Sequence, residues 1–410
     1  MNRVRRCEVL IVGAGPAGLA TALNLIRLRP ELAGKVVALE KARHPRAKVC
    51  AGGLIPKTMR AMAELGLELE VPAVEVRSGR ARTAVGDIEY PAGGVLCTIV
   101  RRDQFDARLA RAACEAGLEL VEECRALAVE SSSDSVRVRS ERGCFEAPVV
   151  VGADGSGSRV RSEVFGQHKN SIGRGLMVDV AVEPRSTEEF TNELYRFDFR
   201  CIAAGIKGYA WSFPCLIGGR PHLNVGIYDQ CPRESVHPGE PKARLLDALR
   251  DAFPELPLDD IGERPASFKA FPIRWYQPDA RFAAGRVLLA GDAAGVDPLM
   301  GEGISQGFEQ GKLAARAIVR MLDGETDALA AYERELHRGL IGRKLSKLNF
   351  AARRFYGPRH RLFFRLAGLS RRAQQIGIDW YNGARELDEL PVRTLIAKWA
   401  GAVLLGIPLR

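Results

Sequence analysis

The chain has 410 residues, 46% apolar and 27% charged, which allows two or three domains around a buried core and excludes a disordered or fibrous protein. Its nine cysteines run from Cys7 to Cys231 with no CxxC pair and no His–Cys cluster, so no disulfide framework or metal site is expected, and the compartment reads as cytoplasmic. The net charge of +10 sits wholly in residues 331–410, where 16 Lys or Arg face 6 Asp or Glu; the rest of the chain carries 44 of each sign.

Glu8 to Val12 is a short apolar run leading into glycines, the pattern of a strand buried on both faces of a parallel sheet. The basic residues before it imitate a signal peptide only until the glycine spacing is read. Ala17 to Leu28 reads as a helix ending near Arg29–Pro30, and Val36 to Leu39 as the second strand. Gln104 to Ala116 carries Phe105, Leu109 and Ala112 at helical spacing and stops at Gly117, before a strand from Leu118 to Val121. Strand, helix, strand alternation is expected to continue to Val149–Gly152.

Between about Lys169 and Asp279 the character changes. A Gly218–Gly219–Arg220–Pro221 turn between Tyr209–Leu216 and His222–Tyr228 predicts an antiparallel hairpin. Strand and helix return at Arg286–Gly291 and Gly303–Leu322. In the tail, Leu340, Leu345, Leu348, Phe355, Leu362, Phe363 and Leu366 alternate with basic residues. That pattern suits equally a helix lying on an anionic membrane and the solvated face of a packed helical tail. Leu395 to Leu409, with Trp399 and Lys398, could dip into an interface without spanning it. No nucleic-acid motif accompanies the charge, so nucleic acid is not expected as a partner.

The first chemical motif is Gly13–Ala14–Gly15–Pro16–Ala17–Gly18, followed by Glu40 at the end of the next strand. Gly13 permits the tight turn, Gly15 admits a pyrophosphate to the helix N-terminus, Gly18 lets helix and strand pack closely, and Glu40 suits a ribose. Either NAD or FAD meets those demands. Two further strand ends carry acids: Val151 to Arg161, with Asp154–Gly155, and Val287 to Ala294, with Asp292. Later, Gly303 and Ile304 open a helix whose free N–H groups favour negative charge, such as that on the N1/C2=O edge of a reduced flavin.

The three strand-end motifs together resemble those of FAD-dependent oxidoreductases with the aromatic-hydroxylase type of fold. Local matches resemble one branch, the geranylgeranyl reductase family: Lys48 to Pro56, with Cys50, Ala51 and Gly53; Arg102–Asp103–Gln104–Phe105–Asp106; and Gly208–Tyr209–Ala210–Trp211–Ser212–Phe213–Pro214. The resemblance covers roughly residues 7 to 320. It implies an α/β fold (α+β overall), with a Rossmann-like FAD-binding domain from residues 1–75, 98–168 and 280–330. A β-rich substrate domain of residues 76–97 and 169–279 interrupts it, and a basic helical region of 331–410 follows. It also implies FAD contacts at Gly13, Ala14, Gly15, Ala17, Gly18, Glu40, Cys50, Ala51, Gly53, Arg102, Ala126, Asp154, Asp292, Gly303 and Ile304.

On a strand of period two, Tyr209, Trp211 and Phe213 share one face, while Ala210 and Ser212 share the other. Such a wall can be plain core; the resemblance makes it a slot for a prenyl chain, with Tyr209 and Trp211 as candidate catalytic residues. Cys50 is either a catalytic group at the flavin or an inert small filler. The implied activity is FAD-dependent saturation of C=C bonds in a polyprenyl chain on a lipid, diphosphate, quinone or chlorophyll precursor. NAD(P)H or a ferredoxin would supply the electrons, and an isoprenoid small molecule is the expected partner, with peripheral contact at the inner face of a membrane as a further expectation. The alternatives are an FAD monooxygenase or halogenase on the same fold, and a prenyl-binding escort without flavin.

Overall fold

In the computed structural model, the described residues are 4–91, 93–166, 171–230, 240–258, 268–368 and 370–384. The segment Leu395 to Leu409 lies outside them.

Two large sheets organise the molecule. The first has six strands in the order Ala283–Ala284, Val287–Leu289, Val150–Gly152, Val9–Val12, Val36–Leu39 and Glu119–Val121. All its pairings are parallel except the short edge hairpin. Its inner strands are continuous runs of Val, Leu and Ile because both faces are covered, and Val9, Leu10 and Ile11 have no exposed surface. Helix Pro16–Leu28 covers one face and packs on helix Ile304–Leu322. The close fit comes from Gly307 and Gly311: a Cβ on Gly311 would stand 2.8 Å from the Ala17 carbonyl oxygen. Small residues four apart let the two helix backbones approach.

The expected alternation between Leu118–Val121 and Val149–Gly152 is not what the chain does. After Glu119–Val121 it runs through three antiparallel strands, Ala126–Ser131, Val136–Ser140 and Gly143–Ala147, before entering Val150–Gly152. The meander joins Val4–Arg6 in a four-stranded sheet. The reason is visible in Val136–Arg137–Val138–Arg139–Ser140, whose side chains alternate buried and exposed with period two. No helical stripe exists there.

The second large sheet has seven strands, ordered Lys269–Arg274, Ile172–Ala181, Arg220–Asp229, Gly208–Ile217, Leu194–Asp198, Ser78–Thr83 and Gly86–Pro91. The expected hairpin is present, with Tyr209 opposite Tyr228 and Trp211 opposite Gly226. Its two faces do different things. Ala210, Val225 and Ile227 face helix Glu240–Ala252 in one apolar cluster, while Tyr209, Trp211 and Phe213 join Tyr195, Phe197 and Phe199 in another. A small three-stranded sheet, Gly53–Leu54, Cys97–Val100 and Ala73–Val76, bridges the two units.

Among the described residues four helices follow: Ala328–Arg338, Leu340–Phe355, His360–Gly368 and Arg371–Asn382. The first is pinned to the parallel sheet. The Glu333 carboxylate accepts the Phe282 and Ala283 amides at 2.6 and 2.7 Å, and the Tyr332 hydroxyl donates to the Leu289 carbonyl at 2.6 Å. Leu345 and Leu348 of the next helix are buried in the same core, so this part of the tail is packed structure.

Candidate active site

The phosphate loop is built by one backbone conformation. Gly13 has φ +104°, and a Cβ there would lie 2.3 Å from the Ala153 carbonyl oxygen, so the loop packs directly on the end of strand Val150–Gly152. Glu40 is buried and braces it: one carboxylate oxygen accepts the Ala14 amide at 3.0 Å, the other the Ala42 amide at 3.1 Å. The Gly15 and Ala17 amides have no acceptor among the described residues and lie where helix Pro16–Leu28 begins.

From this loop a cavity of about 2150 Å³ runs to the aromatic face of the seven-stranded sheet. Small-molecule clefts reach about 1,000 Å³, so there is room for a dinucleotide and a long second ligand. Of the residues expected to touch the cofactor, Gly13, Gly15, Ala17, Glu40, Cys50, Ala51, Gly53, Arg102, Ala126, Asp154, Asp292, Gly303 and Ile304 line this one cavity. Ala14 and Gly18 do not. The Ala14 amide serves Glu40, and Gly18 packs on Gly13, where a Cβ would meet the Gly13 carbonyl oxygen at 2.0 Å.

The two loop aspartates divide their work. Asp154 turns its carboxylate toward helix Arg159–Val164, accepting the Arg159 and Val160 amides at 2.6 and 3.2 Å and the Ser158 hydroxyl. Burial raises its pKa, while those donors oppose the rise. Asp292 accepts the Ser156 hydroxyl at 3.0 Å and lies 3.9 Å from the Lys48 ammonium. Lys48 sits over the Phe271 ring, 3.4 Å from its centre; burial depresses its pKa and Asp292 acts against that. Arg102 is buried and forked onto Asp106 at 2.8 and 3.0 Å. The Gly303 and Ile304 amides, at the start of helix Ile304–Leu322, find no acceptor among the described residues.

At the far end Tyr209, Trp211 and Phe213 line the cavity together with Tyr195 and Phe197 of the adjacent strand and Phe199 just beyond it. The rings hold one another edge to face, Phe197 with Tyr209 at 5.2 Å and with Phe213 at 5.5 Å between centres. Trp211 is fixed by its indole N–H, which donates to Asn224 at 2.9 Å; Asn224 in turn donates to Asp179 at 2.7 Å, and Arg101 holds Asp179. The Tyr209 hydroxyl donates to the Met300 carbonyl. The Tyr228 hydroxyl is buried in the same wall without a hydrogen-bond partner among the described residues.

Sequence reasoning missed the tail's share of this wall. Phe355, Phe364, Ile378 and Tyr381 all reach the cavity, and Tyr381 donates its hydroxyl to the fully buried Asp297 at 2.7 Å. Arg46, Arg161, Arg274 and Tyr195–Phe199 were also missed. For the last, Tyr195, Phe197 and Phe199 repeat the alternation read at Tyr209–Phe213, which was the available signal.

Burial pushes the Asp297 carboxyl up to about 6, against the pull of the Tyr381 hydroxyl and the Leu299 and Met300 amides. An unfolded Asp titrates near about 3.9, so the group's contribution to stability is complete below that pH and is lost as pH rises through its folded value. The melting temperature of wild type minus that of Asp297→Asn is therefore expected to fall between about pH 4 and about pH 7, by the equivalent of up to about 3 kcal/mol. A difference that stays flat over that interval would contradict the assignment.

Residues 6–342 match the family described as FAD binding domain. Over 367 residues the chain is 30% identical to the digeranylgeranylglycerophospholipid reductase of Methanothrix thermoacetophila, covering 83% of this chain and 85% of that one. The chain belongs to the geranylgeranyl reductase family of FAD-dependent oxidoreductases. The menaquinone reductase of Mycolicibacterium smegmatis is 28% identical to this family member over 344 residues, with 80% of this chain and 79% of that one covered. A solved Thermoplasma acidophilum structure, described as geranylgeranyl bacteriochlorophyll reductase-like, shares the fold with a TM-score of 0.71 at 20% identity over 96% of each chain.

The cavity of this geranylgeranyl reductase-family chain fits FAD on its own evidence. Among the described residues the buried Nε of Arg161, at the cavity wall, has no hydrogen-bond partner, and that of Arg46, beside Gly15, has only an ion pair with Glu40 at 3.5 Å. Arg161 also feels Arg274; burial first, and then that repulsion, lower its pKa to about 10. Guanidinium N–H groups short of hydrogen-bond acceptors, beside free helix-terminal amides, are what a pyrophosphate would satisfy.

Proposed function

We propose that this protein saturates C=C bonds of a polyprenyl chain, of geranylgeranyl type, carried on a lipid, a diphosphate, a quinone or a chlorophyll precursor. The observation that carries this reading is the continuity of the cavity from the phosphate loop into a wall of six aromatic side chains, Tyr195, Phe197, Phe199, Tyr209, Trp211 and Phe213. When bound and reduced, FAD supplies hydride chemistry, with NAD(P)H or a ferredoxin as the electron source. Gly13, Gly15, Ala17, Arg46 and Asp292 would hold it, and Gly303 and Ile304 would offer amides to its anionic edge.

The chain's own residues account for the rest. Aromatic walls bury an isoprenoid chain at about 25 cal/mol per Å² of apolar surface and exclude water from the alkene. The faces of Tyr209 and Trp211 favour the positive charge that builds on a tertiary carbon during reduction. The proton for the second carbon has to come from a cavity-lining donor. Cys50, whose sulfur accepts the Gly52 amide at 3.4 Å, and the unpartnered Tyr228 hydroxyl are placed to compete for that role.

The test is anaerobic incubation of dithionite-reduced protein with geranylgeranyl lipids, geranylgeranyl diphosphate and menaquinone, followed by mass spectrometry. Products heavier by pairs of hydrogens are expected. Product formation only when oxygen is admitted would assign the protein instead to oxygen-dependent flavin chemistry, as in a monooxygenase or halogenase.

A further inference from the structure

Helices Leu340–Phe355 and His360–Gly368 carry a surface that the cavity does not account for. Phe350 is 58% exposed and also lines the cavity, so it stands at an opening. Leu362, on the second helix, is 50% exposed, while its neighbour Phe364 is buried against Phe199 and Phe355. Around these two apolar groups Arg353, Arg361 and Arg365 are exposed and form no ion pair among the described residues, and Arg354 lies over the Phe350 ring at 3.7 Å. Residues 340–382 contain ten Lys or Arg and one carboxylate, Asp379, which is buried.

We infer that this face docks the protein on an anionic lipid bilayer, with Phe350 and Leu362 entering the interface and the arginines on the headgroups. Three observations point to a bilayer. The charge is uniformly positive, large apolar side chains stand exposed within it, and one of them, Phe350, stands at an opening of the cavity. A soluble anionic ligand would explain the arginines but not Phe350 and Leu362. A helix with Arg361, Leu362 and Arg365 outward and Phe364 inward is amphipathic in the sense an interface requires, since the arginine stems can reach outward to phosphate while the leucine dips. A prenyl chain anchored in the bilayer could then enter past Phe350 without crossing water. The cargo rests on the function proposed above; the docking does not.

The experiment is co-sedimentation of the flavin-loaded full chain with vesicles of phosphatidylcholine, with and without phosphatidylglycerol. Binding is expected only with phosphatidylglycerol and is expected to be released by salt. Leu362→Ser, and separately the triple change Arg353→Ser, Arg361→Ser and Arg365→Ser, should each lower partitioning by about tenfold or more. Both variants should keep the melting temperature, the flavin absorbance and turnover of detergent-dispersed substrate. Equal binding to both vesicle types, or wild-type partitioning by the variants, overturns the proposal. So does a dimer in gel filtration that Leu362→Ser dissociates, because the face would then belong to a second copy. Vesicle binding without any prenyl reduction in detergent would instead refute the proposed function and leave the docking intact.

Discussion

Gly13→Ala is expected to yield a protein that purifies without yellow colour and melts far below wild type. Two costs combine at this position. An alanine at φ +104° is strained by about 1–2 kcal/mol, and its Cβ would collide with the Ala153 carbonyl oxygen at 2.3 Å. The Ala153 backbone cannot step aside, because its amide is bonded to the Val12 carbonyl at 2.7 Å at the end of a parallel strand pair. Relief has to come from the phosphate loop, which moves the Gly15 and Ala17 amides off target. Gly34→Ala is the control: φ is +76°, nothing lies within 4 Å of its Cβ, and the residue is far from the cavity lining. It should lose only about 1–2 kcal/mol and retain flavin. The ratio of visible to ultraviolet absorbance and a thermal melt separate the outcomes; a yellow Gly13→Ala protein of normal stability would show that the loop does not grip the cofactor.

Trp211→Ala should lower kcat/KM for a prenyl substrate by about 100-fold, corresponding to about 3 kcal/mol of transition-state stabilisation, while flavin content stays near wild type. Trp211 lines the aromatic wall and is remote in sequence from every phosphate-loop residue, so its loss empties substrate space. Truncating a buried tryptophan also costs about 3–5 kcal/mol of stability. Trp211→Phe keeps most of the volume, leaves the Asn224 acceptor without its 2.9 Å donor, and should fall between wild type and alanine in turnover. Loss of flavin in step with loss of turnover, in both variants, would mean that the indole only holds the fold together.

The parts of this site that could be read from the sequence are those where a local physical demand selects a residue type. A tight turn needs Gly13, and a helix entry without a side-chain cap leaves the Gly303 and Ile304 amides free as donors. The aromatic alternation of strand Gly208–Ile217 was legible for the same reason, since period two fixes the face. The meander through Val136–Ser140 was equally local but was masked by the expectation of βαβ repetition.

Tyr381, Ile378 and Phe364 could not be found this way. They reach the cavity because distant helices stack, and an amphipathic stripe looks the same whether its inner face meets core or a ligand. Glu40 also shows a limit: its carboxylate is occupied by the Ala14 and Ala42 amides, a scaffolding duty that spacing alone does not reveal.

The contact of Gly307 and Gly311 with Ala17 has a bearing on biosynthesis. Helix Pro16–Leu28 leaves the ribosome long before its partner helix, Ile304–Leu322. Until then the nucleotide fold lacks the layer that covers it, and its apolar strands stay open to aggregation or to chaperones. Cofactor capture is consequently expected to wait for residues 304–322, and chains truncated before residue 304 should emerge as insoluble apoprotein.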